Sequence, residues 1–237
     1  MGCRRVEGGG IRPRLRVGAV LLAAGEGRRM GGVAKPLIRL QGVSLVTRHL
    51  AALRGAGIDE VVVVTGHARE AIEQEARRSN VTLVHNDACA AGQQRSVRLG
   101  LEALGAAFDA VLIVLADQPL VGADELVELI CAFRNRPHGH VLVPVVAGQR
   151  GNPVVIDRYA HAQVLASEAD RGCRDLMDRR PELVYAHETT NTGFVTDLDT
   201  LEDLRRLAAR TGWALELPSE TAGRGRSRED PSRGIPG

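Results

Sequence analysis

One lysine, Lys35, stands against thirty arginines in this chain of 237 residues. A coding bias toward arginine accounts for the thirty. A position that needs a compact, flexible ammonium instead of a planar guanidinium would account for the one, the alternative being a surface lysine that escaped the bias. Aromatic residues are scarce as well: Phe108, Phe133, Tyr159, Tyr185, Phe194 and Trp213 make up the whole set. Six rings are too few for the stacking platforms on which single-stranded nucleic-acid binders lay successive bases, so that class is excluded. The four cysteines, Cys3, Cys89, Cys131 and Cys173, form no CxxC pair, which argues against both a zinc site and a disulfide framework. No apolar run approaches the roughly 20 residues that span a bilayer, and the N-terminal stretch lacks the apolar centre of a secretory signal. A soluble, cytoplasmic chain is expected. Charge suggests no basic groove: the net +2 divides into +4 before Val17, +1 from Pro218 onward and about −3 for the body between.

What is present is an alternation of short β-branched runs with amphipathic segments. Strands are expected at 17–22, 60–64, 81–84, 110–115, 141–145, 153–156 and 183–186. Helices are expected near 45–56, 69–78, 96–104, 123–133, 158–165, 172–179 and 200–210. The early strands are apolar at nearly every position, as strands buried on both faces are. Such a βαβα order predicts an α/β fold with a mostly parallel, doubly wound sheet between helical layers. Residues 1–16 and 218–237 show no apolar periodicity and read as disordered tails around one body, 17–217. Ligands of such sheets sit at the carboxyl ends of strands, which directs attention to the residues after Leu22, Val84, Leu115 and Val195.

Four segments there carry chemistry. Leu22-Ala23-Ala24-Gly25-Glu26-Gly27-Arg28-Arg29-Met30-Gly31, with Lys35-Pro36 beyond it, is a glycine-rich loop whose N–H groups can approach phosphate oxygens while Arg and Lys supply countercharge. It is not a dinucleotide fingerprint, because Met30 stands where the third glycine belongs and no acidic residue ends the second strand. Nor is it a Walker loop, lacking GK[ST]. The bland alternative is an ordinary turn with solvated arginines. Asp117, in Leu115-Ala116-Asp117-Gln118-Pro119, sits at a strand tip where a carboxylate can hold Mg2+, an ion that takes one or two protein carboxylates and fills its other positions with water and phosphate. Asp197 reads as a second carboxylate for the metal, and Asp199 as a helix cap, since Glu202 and Asp203 follow it. Asn86, Gly92 and Ser96 lead from the third strand into a helix, where an N-terminal turn can approach a base or phosphate. Gly151-Asn152-Pro153 and Asp170-Arg171-Gly172-Cys173-Arg174 are readable as plain turns, and His138 and His140 as surface residues.

In this order, LLAAGEGRRMGG…K, N-x5-G-x3-S, LADQP, RGNPV, DRGCR and DLDTLED resemble the molybdenum cofactor cytidylyltransferase branch of the nucleotidyltransferases, over about residues 17–209. The resemblance implies a three-layer α/β/α, Rossmann-like domain. It also implies an activity that joins a nucleoside monophosphate to the phosphate of a molybdenum-pterin cofactor and releases pyrophosphate. It places nucleotide binding on Leu22, Ala23, Ala24, Gly25, Arg29, Lys35, Asn86, Gly92 and Ser96, catalysis on Arg29, Lys35 and Asp117, and Mg2+ on Asp117 and Asp197. Ala24 favours CTP over GTP, since the guanylyltransferase branch tends to carry glycine there. Cys89 and Leu201 depart from the usual aromatic residue and proline. The implied partners are CTP, the pterin cofactor and a molybdoenzyme that receives it, with neither nucleic acid nor membrane. The rivals are a guanylyltransferase, a non-catalytic carrier of the pterin cofactor and a nicotinamide oxidoreductase on the same fold.

Overall fold

A computed structural model describes residues 14–168 and 171–218. The strands are β1 (Val17–Ala23), β2 (Arg39–Leu40), β3 (Val43–Ser44), β4 (Glu60–Thr65), β5 (Thr82–His85), β6 (Ala110–Leu115), β7 (Val141–Val146), β8 (Gln149–Arg150), β9 (Val154–Ile156), β10 (Val184–Glu188) and β11 (Leu215–Glu216). The helices are α1 (Leu45–Gly55), α2 (Arg69–Ala76), α3 (Gln93–Leu104), α4 (Ala123–Asn135), α5 (Arg158–Ala166), α6 (Cys173–Arg179) and α7 (Leu201–Thr211). The main sheet runs β10-β7-β9-β6-β1-β4-β5, with β8 paired to β7. β1 is parallel to both β4 and β6, while β9 enters antiparallel between β6 and β7.

The period-two alternation of the buried strands produces two cores. Ala19, Leu21, Val63, Leu112 and Val114 face α1, α2 and α4 through Val46, Leu50, Leu53, Ile72, Leu126, Leu129 and Phe133. Val20, Leu22, Val62, Val64, Val111 and Ile113 face α3, α5 and α6 through Val97, Leu101, Leu104, Val164 and Met177. The result is the expected three-layer α/β/α arrangement. Gly100 permits it at one close contact, since a Cβ there would lie 2.2 Å from a Val20 methyl carbon. From β1 the chain winds outward through β4 to β5, then returns through α3 to β6 on the other side of β1. The reversal leaves a crevice at the carboxyl ends of β1 and β6, the topological switch point of the sheet.

Some expectations need correction. Residues 192–195 form a 3-10 turn and not a strand, so Asp197 does not follow a strand end. α3 begins at Gln93, three residues before the expected start. Arg14 and Arg16, assigned to the tail, are tied to the body: Arg14 Nη2 donates to Gly57 O at 2.8 Å, and Arg16 N donates to Asp109 Oδ2 at 2.9 Å. The remainder of both tails, 1–13 and 219–237, lies outside the described residues. A small antiparallel sheet, β11-β2-β3, was not foreseen, because two-residue strands carry no period. With α7 it encloses a third apolar cluster of Met30, Ile38, Leu40, Leu45, Leu198, Leu204 and Leu207.

His49 of α1 is 2% exposed, and neither ring nitrogen has a hydrogen-bond partner among the described residues. Burial, with a smaller contribution from Arg48, depresses its pKa from 6.5 to about 4. The unfolded chain takes up a proton near pH 6.5 that the fold refuses until pH 4, so stability is complete above 6.5 and falls as the pH drops through that window. The loss amounts to about 3 kcal/mol. His49→Leu is expected to reduce the fall in melting temperature between pH 7 and 4.5; parallel curves for the two proteins would refute the assignment.

Candidate functional site

The opening loop leaves β1 at the crevice and is held there by its own backbone. Met30 N and Gly32 N both donate to Gly27 O, at 2.8 and 3.1 Å. Gly27 itself has φ +61°, and a Cβ on it would come 1.9 Å from Val33 O, so only glycine fits. Met30, 5% exposed, plugs the loop into the third apolar cluster beside α7. Lys35 opens a short 3-10 turn in which Ile38 N donates to Lys35 O at 3.0 Å. Across the crevice, Ala116 N donates to Leu22 O at 3.1 Å and brings the end of β6 to the end of β1.

Between them opens a cleft of about 430 Å3 lined by Leu22, Ala23, Ala24, Gly25, Arg29, Lys35, Gly92, Ser96 and Asp117, all foreseen. Its floor is an ionic chain. Lys35 Nζ donates to Asp117 Oδ2 at 3.0 Å and to Asp199 Oδ1 at 2.7 Å, and Arg29 Nη1 donates to Asp199 Oδ2 at 2.6 Å. Burial works against the Lys35 ammonium, but Asp117 and Asp199 together outweigh it and raise its pKa above the ordinary lysine value. The hydrogen bond from Lys35 holds the Asp199 carboxyl below the usual carboxylate range against the opposing effect of burial, and Arg29 adds to it. Lys35 and Asp199 are therefore both charged at neutral pH.

Two foreseen residues stand elsewhere. Asn86 is wholly buried behind the cleft: its Nδ2 donates to Ser96 Oγ at 2.9 Å and its Oδ1 accepts from Ala88 N at 3.0 Å. It shapes the turn that presents Gly92 and Ser96 and does not line the cleft. Asp197 also lies outside the lining. Partial desolvation, then the Asp117 charge, raises its pKa, opposed by a hydrogen bond from Gln118.

Asp199 is not the helix cap that the sequence suggests. The cap is Thr200, whose Oγ1 accepts from Asp203 N at 3.2 Å while Asp203 Oδ2 accepts from Thr200 N at 2.7 Å and Asp199 N at 3.1 Å. The Thr200-x-x-Asp203 spacing is a capping-box signal that could have freed Asp199 for the site. Glu26, Arg28, Cys89, Ala90 and Gln93 also line the cleft and went unassigned; Glu26 and Arg28 pair with each other.

Among the described residues no three His, Cys, Asp or Glu side chains are grouped to hold a metal by themselves. The donor set still suits a hard divalent cation that takes most of its ligands from phosphate and water, because Asp117 and Asp197 offer carboxylate oxygens whose mutual repulsion such an ion relieves. One Lys, one Arg and clustered carboxylates line a glycine-bordered cleft, a set of groups that suits a polyphosphate.

No helix among the described residues is long and apolar enough to cross a membrane. Nicotine blue oxidoreductase of Paenarthrobacter nicotinovorans is 29% identical over 197 residues, covering 81% of this chain and 96% of that protein. The bifunctional protein GlmU of Pelobacter propionicus is 31% identical over 159 residues, 67% of this chain; the match spans 33% of GlmU's length. In fold, the chain is similar to a nucleotidyl transferase from Methanothermobacter, with a TM-score of 0.67 at 24% identity over 82% of this chain and 97% of the other. Residues 19–184, nearly the whole main sheet and the cleft's floor save Asp199, match the model of the MobA-like NTP transferase domain, and the chain belongs to that family of nucleotidyltransferases.

Proposed function

We propose that this enzyme transfers a nucleoside monophosphate, CMP from CTP, to the phosphate of a molybdenum-pterin cofactor and releases pyrophosphate. The observation that carries the reading is the Lys35 ammonium set between Asp117 and Asp199 on the floor of a glycine-lined cleft. An oxygen of the acceptor phosphate forms the new bond to the α-phosphorus of the nucleotide as the bond to the departing pyrophosphate breaks. The acceptor oxygen is already anionic, so no side chain has to remove a proton. Catalysis then rests on position and charge. Arg29 and Lys35 take up charge accumulating on the pyrophosphate beside the glycine-rich loop that follows β1. Mg2+ held at Asp117 and Asp197 would supply Lewis-acid stabilisation of the phosphoryl oxygens. The preference for cytidine rests on Ala24 in the cleft wall.

A second reading has one observation behind it, the near full-length relative named an oxidoreductase. Hydride chemistry with a nicotinamide would need the cleft to seat a dinucleotide. Against this, β1 is followed by a loop without GxGxxG and β4 ends in Thr65-Gly66 with no acidic residue for a ribose. Melting curves and pyrophosphate release separate the readings. CTP with Mg2+ is expected to raise the melting temperature more than GTP with Mg2+ or NADH, and pyrophosphate is expected from CTP only when pterin cofactor is added. A larger shift with GTP would transfer the base assignment to guanine. A shift with NADH alone would replace the transferase reading.

A further inference from the structure

Gln118 follows Asp117 and is 0% exposed. Its Nε2 donates to Phe194 O at 3.0 Å, and Asn152 N donates to the same carbonyl at 2.9 Å. Gly151 packs so closely there that a Cβ would lie 2.4 Å from Phe194 O. Four residues on, Leu198 N donates to Asp117 O at 3.0 Å. The 194–198 segment is thus pinned at both ends to Asp117-Gln118, once through the Gln118 side chain and once through the Asp117 backbone. Asp197 lies inside the pinned stretch and Asp199 one residue beyond buried Leu198. The amide does this at a cost, because its Oε1 is buried without a hydrogen-bond partner among the described residues. An apolar side chain of similar volume would avoid that cost, so the contribution of Gln118 is positional.

We propose that Gln118 is a positioning residue for the carboxylate group of the cleft. Its amide clamps the 194–198 segment against the end of β6, so that Asp199 meets Lys35 and Asp197 stands beside Asp117. The RGNPV segment, a plain turn by sequence, is the other jaw of the clamp. Released, the segment moves away under the mutual repulsion of the carboxylates, and a divalent cation loses its second ligand. This role rests on the metal–nucleotide reading of the cleft given above.

The test uses full-length protein with CTP and Mn2+ as the probe, free Mn2+ being read by its electron paramagnetic resonance signal. Gln118→Met is expected to weaken Mn2+ binding by about tenfold to a hundredfold, the range found when a group orienting a metal ligand is removed. kcat should fall with it while the KM for CTP and the melting temperature hold. Gln118→Asn keeps an amide but retracts it by one methylene, and should show the same loss; it decides the matter if the Met variant does not fold. Asn152→Ala leaves the Asn152 N–H on Phe194 O and should bind Mn2+ as the native protein does. Native Mn2+ affinity in either folded Gln118 variant overturns the positioning role alone. Absence of Mn2+ binding by the native protein with CTP overturns the metal–nucleotide reading and this proposal with it.

Discussion

Asp117→Asn is expected to abolish pyrophosphate release while the protein melts within a few degrees of native. The substitution keeps the shape of the side chain and leaves the Asp117 O bond to Leu198 N in place, so the clamp on the 194–198 segment survives. What it removes is a full negative charge facing Lys35 and the carboxylate on which a divalent cation would sit. Loss of one preorganised charge or donor costs about 100- to 1000-fold in rate, and loss of a metal ligand compounds it. The folded state loses one ion pair whose carboxylate is 27% exposed, worth no more than about 1 kcal/mol. Steady-state kinetics and a thermal melt on one preparation check both halves. Substantial turnover by the Asn variant would mean that the metal is held elsewhere.

Lys35→Arg, the mildest exchange elsewhere in so arginine-rich a chain, should cost about 2–4 kcal/mol in the barrier, or roughly 30- to 1000-fold in kcat/KM. The geometry says why. Nζ bridges two carboxylates at 3.0 and 2.7 Å from a side chain only 15% exposed. A guanidinium is longer and planar, and its fork favours bidentate pairing with one carboxylate over bridging two. Lys35→Met separates charge from shape. In the native protein the depressed Asp199 pKa contributes stability that is present above the unfolded carboxylate pKa and lost as the pH falls through the lower folded-state pKa. The Met variant lacks it, so its melting temperature should lie below native at pH 7 by about 1 kcal/mol of stability, the gap closing as the pH falls below the ordinary carboxylate range. Near-native kcat/KM in Lys35→Arg would reduce Lys35 to a structural ion-pair partner.

The glycine loop, Lys35 and Asp117 were legible because each lies within a few residues of a strand end, and strand ends can be found from local hydrophobicity. Lone-lysine composition pointed to Lys35, and the structure sets its ammonium between Asp117 and Asp199. Asn86 misled because a polar residue after a strand looks alike whether it turns to solvent or is buried as a brace for Ser96. Asp199 misled because an aspartate ahead of an acidic helical turn satisfies the capping pattern, while the true cap lay one residue later.

By itself the amino-acid order determined the layers of this protein. Runs of β-branched residues buried on both faces, spaced by amphipathic segments, leave few stable arrangements other than a sheet between two helical layers, and that sheet places its ligand at the carboxyl ends of its central strands. The composition of the site was decided only by tertiary structure. Asp199 reaches Lys35 across 164 residues of chain because Leu198 is buried under α7 and bonded to Asp117, and Gln118 and Asn152 meet on Phe194 O because β9 enters between β6 and β7. Periodicity reports how a residue is buried relative to its own neighbours along the chain. Which distant loop arrives beside it is set by packing and by backbone hydrogen bonds that no local pattern encodes.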